Sequence, residues 1–243
     1  METNRDFIEI GKSFIAYCLK KYEDEDKLFP PYNSGWYQYL FNKMLPTSDE
    51  QFENNKITII TFNYDRSLEA YLHNTIMHRF NLSEADSLKI LRKICIIHPH
   101  GMLGGYPEIP YSQFLNKDTE LNEEDAKLLE KITNVIKIIH EISEAKDTFC
   151  SNEFEIAHKA LQKTEKIYFL GFGFHEDNIR RFRFFSEDNL EGKEVYSTCD
   201  GFTEPFQRTE LLNRTSKYGL KENFIHHSGV TCDTFFQRTG NFE

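Results

Sequence analysis

The chain has 243 residues, 29 of them basic and 39 acidic, for a formal net charge of −10 at pH 7. That balance argues against a nucleic-acid-binding surface spread over the whole protein, although a local basic patch would survive it. Hydrophobic residues make up 39% and aromatic residues 14%, which excludes a largely disordered chain and allows one domain a sizeable core.

Residues 5–22 place Phe7, Ile10, Phe14, Cys18 and Tyr22 along one face of an amphipathic helix. A turn-rich stretch around Pro30, Pro31 and Asn33 follows, then a short aromatic helix with Trp36, Tyr39, Leu40 and Phe41. The β-branched run at 56–62 predicts a strand buried on both faces, and it leads into Asn63-Tyr64-Asp65 and a helix through Leu68, Leu72 and Met77. Residues 83–92 read as helix and 94–97 as a second buried strand, ending at His98-Pro99-His100-Gly101. After an irregular stretch at 102–118, residues 121–145 predict one long helix with Leu128, Ile132, Val135, Ile136 and Ile139 on a shared face. A helix at 152–163 leads to a strand at 166–170, followed by Gly171-Phe172-Gly173-Phe174 and a helix through Ile179, Phe182 and Phe185. A strand at 194–197, a helix at about 204–217, a weak strand at 223–226 and a terminal helix complete the order.

Strands alternating with helical stretches, and no Asn-Gly or Asp-Gly turn joining two strand runs, predict parallel βαβ units. The expected fold class is α/β, a Rossmann-like doubly wound and mostly parallel sheet flanked by helices, with a helical insertion at about 102–150. A single domain over 1–243 is expected. No apolar run reaches the roughly 20 residues that span a bilayer, and the early charged N-terminus does not read as a signal peptide. The five cysteines (Cys18, Cys95, Cys150, Cys199, Cys232) show no C-x-x-C spacing, which fits reduced thiols in a cytoplasm.

Ligands of open α/β sheets bind beyond the carboxyl ends of the strands. Asn63 and Asp65, His100-Gly101, 171–178 and 198–201 all fall at such ends and converge on one rim if the strands are parallel and adjacent. Each has a plainer reading as well. Asp65 suits a helix N-cap, His100 a turn, and Gly171 with Gly173 tight strand–helix packing, since their spacing is not G-x-G-x-x-G. His98 and His100 alternate as two metal ligands on a strand would, but no third protein ligand accompanies them. Arg180, Arg181 and Arg183 read as a solvated helix face, with phosphate contact as the alternative. No G-x-S-x-G elbow or P-loop is present.

Thr61-Phe62-Asn63-Tyr64-Asp65 resembles the Thr-Gln-Asn-x-Asp motif of sirtuins, in the form found in bacterial sirtuin-like proteins. His98-Pro99-His100-Gly101 is similar to the family's catalytic His-Gly, and 168–178 to its later strand and paired-glycine loop; the three occur in family order over about 35–200. The resemblance implies a Rossmann-type sheet that binds NAD as a substrate. Asn63 would position the nicotinamide ribose and the attacking water, Asp65 the nicotinamide side of the pocket, and His100 the ribose hydroxyls. Thr61, Phe62, Gly101, Gly171, Gly173, Asn178 and Thr198 would complete the NAD site, with no metal. The four-cysteine zinc module of deacylating sirtuins is absent, and Phe62 stands where those enzymes carry glutamine. Both departures fit the NAD-consuming branch found in anti-phage defence, whose members assemble into homo-oligomers or act with an ATPase partner. The family's opening strand and Gly-Ala-Gly-x-Ser loop have no counterpart before Asn63, where only Gly11 and Gly35 occur, so the chain is expected to start late. NAD⁺ hydrolysis is the leading expectation, for the full-length parent more than for the chain as given, which lacks the Gly-rich phosphate loop; a non-catalytic NAD- or ADP-ribose-binding module is the alternative, and a protein deacylase a third. No direct nucleic-acid or membrane partner is expected.

Overall fold

Strand runs and helix periodicities of the sequence become a mixed α/β structure in which every strand pairing among the described residues is parallel. The computed structural model describes residues 2–30, 35–44, 55–112, 122–137, 152–174, 178, 193–199, 213, 224–228 and 230–239. The predicted helices around 179–185 and at 204–217 apart from Asn213, with Arg180, Arg181 and Arg183, lie outside the described residues, as do Ile139 and Cys150. Two compact units divide the chain: Met1–Tyr37 with Met44–Asp147, and Gln38–Lys43 with Thr148–Glu243.

In the first unit the order is α1 (Glu2–Tyr22), α2 (Glu25–Leu28), the start of α3 (Gly35–Met44), β1 (Thr58–Ile60), α4 (Ser67–Phe80), α5 (Glu84–Leu91), β2 (Cys95–Ile97) and α6 (Glu123–Thr133). β1 and β2 pair in parallel with Thr58 opposite Cys95 and Ile60 opposite Ile97. One further bond, from the Thr61 N–H to the Ile97 carbonyl at 2.9 Å, carries the pairing to the carboxyl ends. Helix boundaries follow local chemistry. Ser83 caps α5 by accepting from the Asp86 N–H, and Asn122 and Asp125 form a reciprocal capping box at the start of α6. α4 ends where Asn81 takes a left-handed conformation, one that asparagine tolerates.

Three expectations are corrected here. β1 is not buried on both faces: Thr58 is exposed and the two isoleucines half-buried, as befits a short two-stranded sheet. The helix expected at 121–145 stops at Thr133, and 134–137 is irregular although Ile136 is fully buried. α1 forms, but its apolar face is turned outward, with Phe7, Ile10, Phe14 and Tyr22 each at least 65% exposed. The buried side of α1 is instead Ala16 with Lys12 and Lys20. Ala16 lets the backbone pack close to α6 in a core with Leu103, Ile109, Ile132 and Ile136, and Ser13 and Thr133 share a hydrogen bond there. Lys20 is drawn inward by Glu23 and by the Pro110 carbonyl. Glu23 in turn binds the guanidinium of the fully buried Arg66, which also donates to the Ile109 and Pro110 carbonyls. A satisfied polar network thus sets the rotation of α1 against the simple apolar stripe.

The second unit contains α7 (Asn152–Lys163), β3 (Lys166–Phe169), β4 (Glu194–Cys199), β5 (Phe224–Ser228) and α8 (Cys232–Thr239). Its sheet runs β3-β4-β5, with Tyr168 opposite Tyr196 and their rings stacked 4.9 Å apart. Val195, Ile167, Phe154, Ala157 and Phe235 are buried. Lys193 reaches over the end of α7 and donates to the carbonyls of Leu161, Gln162 and Thr164 at 2.9, 2.8 and 2.6 Å. A cation is favoured at a helix C-terminus, where carbonyls lack intrahelical donors. Among the described residues no helix is long and apolar enough to cross a membrane, and Cys18, Cys95 and Cys232 are not in disulfides.

Candidate functional site

Parallel pairing of β1 and β2 brings the two loops that leave them side by side. The 61–65 loop is braced by its own side chains: Thr61 Oγ1 accepts from the Asn63 N–H at 3.2 Å, and Asp65 Oδ1 from the Ser67 N–H at 3.1 Å. Asp65 therefore does satisfy an N–H of the first turn of α4, from the residue before the cap position held by Arg66. Asn63 is exposed at the crest of the loop, while Thr61, Phe62, Tyr64 and Asp65 are half-buried.

The loop after β2 is more deeply set. His98, Pro99 and His100 are all buried, and the His100 ring lies 5.5 Å from that of Phe62, centre to centre. Gly101 has φ +82°, and a Cβ there would run into the backbone carbonyl oxygen of Val135, so only glycine lets the chain turn this close to the 134–137 segment. That segment accounts for the broken long helix. The Lys137 N–H donates to the His100 carbonyl at 2.9 Å, the Tyr64 hydroxyl donates to the Lys137 carbonyl at 3.0 Å, and the Leu103 N–H donates to the Tyr64 carbonyl at 2.8 Å. A continuing helix would have kept the 137 amide for itself.

The two loops also meet through His98. Its Nδ1 is 3.0 Å from the Asn63 carbonyl oxygen, and its Nε2 is 2.6 Å from Oε1 of Glu69 on α4. Burial by itself would lower the pKa of this imidazole. The Glu69 carboxylate, the Asn63 carbonyl and the nearby Asp65 charge outweigh it and raise the pKa above the ordinary histidine value. Both ring nitrogens are engaged, which leaves none for the metal ligation considered from the sequence. Among the described residues no group of three or more His, Cys, Asp or Glu side chains could hold a metal ion.

The remaining candidates lie in the second unit. Gly171 has φ +63° and donates its N–H to Thr198 Oγ1 at 2.8 Å. Thr198 is buried and passes its own hydroxyl proton toward the Phe169 carbonyl at 3.4 Å, so this hydroxyl serves the loop that carries Gly171. Phe169, Phe172 and Phe174 pack ring against ring at 5.0 to 5.3 Å, which ties the loop to the end of β3. Gly173 has an ordinary φ and open space where a Cβ would stand. Asn178 is half-buried, and its buried Oδ1 has no hydrogen-bond partner among the described residues.

Sequence reasoning paired Asn63, Asp65 and His100 but missed Glu69, Tyr64 and Lys137 as the groups that hold them. Glu69 carried one signal, a carboxylate beside Leu68 and Leu72 in the helix that follows the motif. Tyr64 and Lys137 act through a hydroxyl and backbone groups and carried none. No protein-family model, curated protein or solved structure matches the chain.

Proposed function

We propose that the chain is a sirtuin-like NAD⁺ hydrolase that cleaves the nicotinamide N-glycosidic bond to give nicotinamide and ADP-ribose. On this reading residues 1–243 form one Rossmann-type, doubly wound domain with a helical insertion at about 102–150. It acts in the cytoplasm as a homo-oligomer, depleting NAD⁺ in defence against phage, in some settings with an ATPase-like partner.

One observation carries the reading: the 61–65 and 98–103 loops leave the carboxyl ends of two paired parallel strands and are tied together there, through His98 and through Leu103. Ligands of α/β sheets bind at that position. Hydrolysis needs a water oxygen to attack C1′ of the ribose while the C1′–N bond breaks and its electron pair neutralises the pyridinium. Positive charge develops on the ribose ring in the transition state. The Asn63 carboxamide, exposed at the crest, is suited to orient ribose and water, and the Asp65 carboxylate stabilises the developing cation. His100 orients the ribose hydroxyls and takes up the proton that the attacking water gives up.

The test is to incubate the purified chain with NAD⁺ and measure nicotinamide by chromatography. Release by wild type, and a loss of roughly 100-fold or more in Asn63→Ala and His100→Ala, supports the assignment. Asn63 is exposed, so its variant keeps the wild-type unfolding midpoint. A folded wild-type chain that releases no nicotinamide overturns the hydrolase, and calorimetric binding of ADP-ribose without product would assign a binding module in its place.

A further inference from the structure

We propose that Glu69 and His98 are positioning residues that form a proton-locked clamp on the carbonyl of Asn63, so that the 61–65 loop keeps its place only while one proton is shared between carboxylate and imidazole. The inference rests on the reading of that loop as the nicotinamide-ribose wall, and it adds a pair of residues that touch neither ribose nor water.

Hydrogen-bond bookkeeping leads to it. The Asn63 carbonyl can only accept, so His98 Nδ1, 3.0 Å away, must carry a hydrogen. Nε2 stands 2.6 Å from Glu69 Oε1, closer than two lone pairs tolerate, so a proton must lie between them. Either the ring is an imidazolium facing a carboxylate, or a neutral ring accepts from a carboxylic acid. Both states hold one proton more than neutral histidine plus ionised glutamate. The pair is buried, with His98 at 4% and Glu69 at 7% exposure, so water does not replace the lost partner. The second carboxylate oxygen, Oε2, is buried with no hydrogen-bond partner among the described residues, which leaves Glu69 no other anchor.

Removing the shared proton leaves the ring one N–H for two acceptors: kept at Nδ1 it sets a bare carboxylate against the Nε2 lone pair, and moved to Nε2, where the charged acceptor is the stronger, it turns the Nδ1 lone pair on the Asn63 carbonyl and releases it. The groups that face the ring are the Glu69 carboxylate from α4 and, from the loop after β1, the Asn63 carbonyl and the Asp65 carboxylate. All three favour the protonated ring. The raised pKa gives the sign: the clamp is closed below the ordinary histidine value and opens as pH rises through the higher folded-state value.

Glu69→Gln separates this device from ordinary packing. The amide has the same shape and donates to Nε2 of a neutral ring, so Nδ1–H keeps its bond to Asn63 with no extra proton. Nitrogen-edited NMR of the His98 ring reads its protonation, and amide exchange at Gly101 and Leu103 reads the loops, since these N–H groups bond to the His98 and Tyr64 carbonyls. In wild type, His98 titrates above the ordinary value. Above that pH, after correction for intrinsic exchange, protection at both amides falls by about tenfold per pH unit, the slope of a one-proton opening. In Glu69→Gln the ring titrates at least one pH unit lower and the slope is flat. A wild-type His98 that titrates at or below the ordinary value, or a slope that persists in Glu69→Gln, overturns the clamp. Neither readout uses NAD⁺, so a clamp that passes beside a chain that releases no nicotinamide would fault the enzymatic reading alone.

Discussion

Alanine at Gly101 probes how the His100 loop is supported. At φ +82° an L-residue is strained, at a cost of about 1–2 kcal/mol. The new Cβ would also overlap the Val135 carbonyl oxygen, which belongs to the backbone and cannot rotate aside. Separating the two segments stretches the bond from the Lys137 N–H to the His100 carbonyl, worth about 1 kcal/mol. Together these put Gly101→Ala at about 3 kcal/mol. The other glycines provide the scale. Gly171 also has a positive φ, but its Cβ would meet only Cys232 Sγ at 4.0 Å, so Gly171→Ala carries the conformational cost alone, about 1 kcal/mol. Gly173 has neither restriction, and Gly173→Ala stays within about 0.5 kcal/mol of wild type. Urea unfolding followed by far-UV circular dichroism gives all three values. A Gly101→Ala protein no less stable than Gly171→Ala would refute the reasoning, because the 134–137 segment would then not back the His100 loop.

Two further substitutions test what holds each unit together. Lys193→Met removes the ammonium donor from three carbonyls at the end of α7 and should lower stability by roughly 2–4 kcal/mol in the same urea assay; a loss below about 0.5 kcal/mol would show that these bonds do not persist in solution. Arg66→Met leaves Glu23 facing Lys20 alone and deprives the Ile109 and Pro110 carbonyls of a donor, at an expected cost of roughly 3–5 kcal/mol. Replacing Lys20, Glu23 and Arg66 together by methionine should cost less than Arg66→Met, because no charge is then left buried without its partners; costs that simply add would refute a coupled network.

Much of the fold could be read from local patterns. The helix predicted at 152–163 is α7 to the residue, and Ser83 marks the start of α5 as a cap should. These elements are set by periodicity and capping, which are properties of neighbouring residues. Failures occurred where tertiary partners decide. Ile136 is buried whether 134–137 continues a helix or bends away, so its place in an apolar series could not distinguish the two. The apolar face of α1 lost to a buried cluster whose members, Lys20, Glu23 and Arg66, are polar residues that a hydrophobic pattern assigns to the surface. The meeting of the Asn63 and His98 loops was legible because parallel strands place their following loops on one edge. Glu69 was not, because its partner His98 lies 29 residues away on another element.

Polar loops are ordinarily the mobile part of an α/β protein, yet a site that stabilises a developing charge must be ordered before its substrate arrives. Here the order comes chiefly from the backbone. Lys137 bridges the two loops with main-chain atoms alone, giving its N–H to His100 and taking the Tyr64 hydroxyl on its carbonyl. The Leu103 N–H closes the same circuit on Tyr64. His98 adds the contact in this circuit that depends on an imidazole, the side chain type whose charge changes nearest neutral pH. The division of labour follows: main-chain bonds set the path of the 61–65 and 98–103 loops, and the Glu69–His98 proton, by holding the Asn63 carbonyl, decides over which pH range those bonds stay closed. Because Ile132 and Ile136 anchor the bridging segment in the core shared with α1, the rigidity of the site is inherited from the packing of α1 on α6.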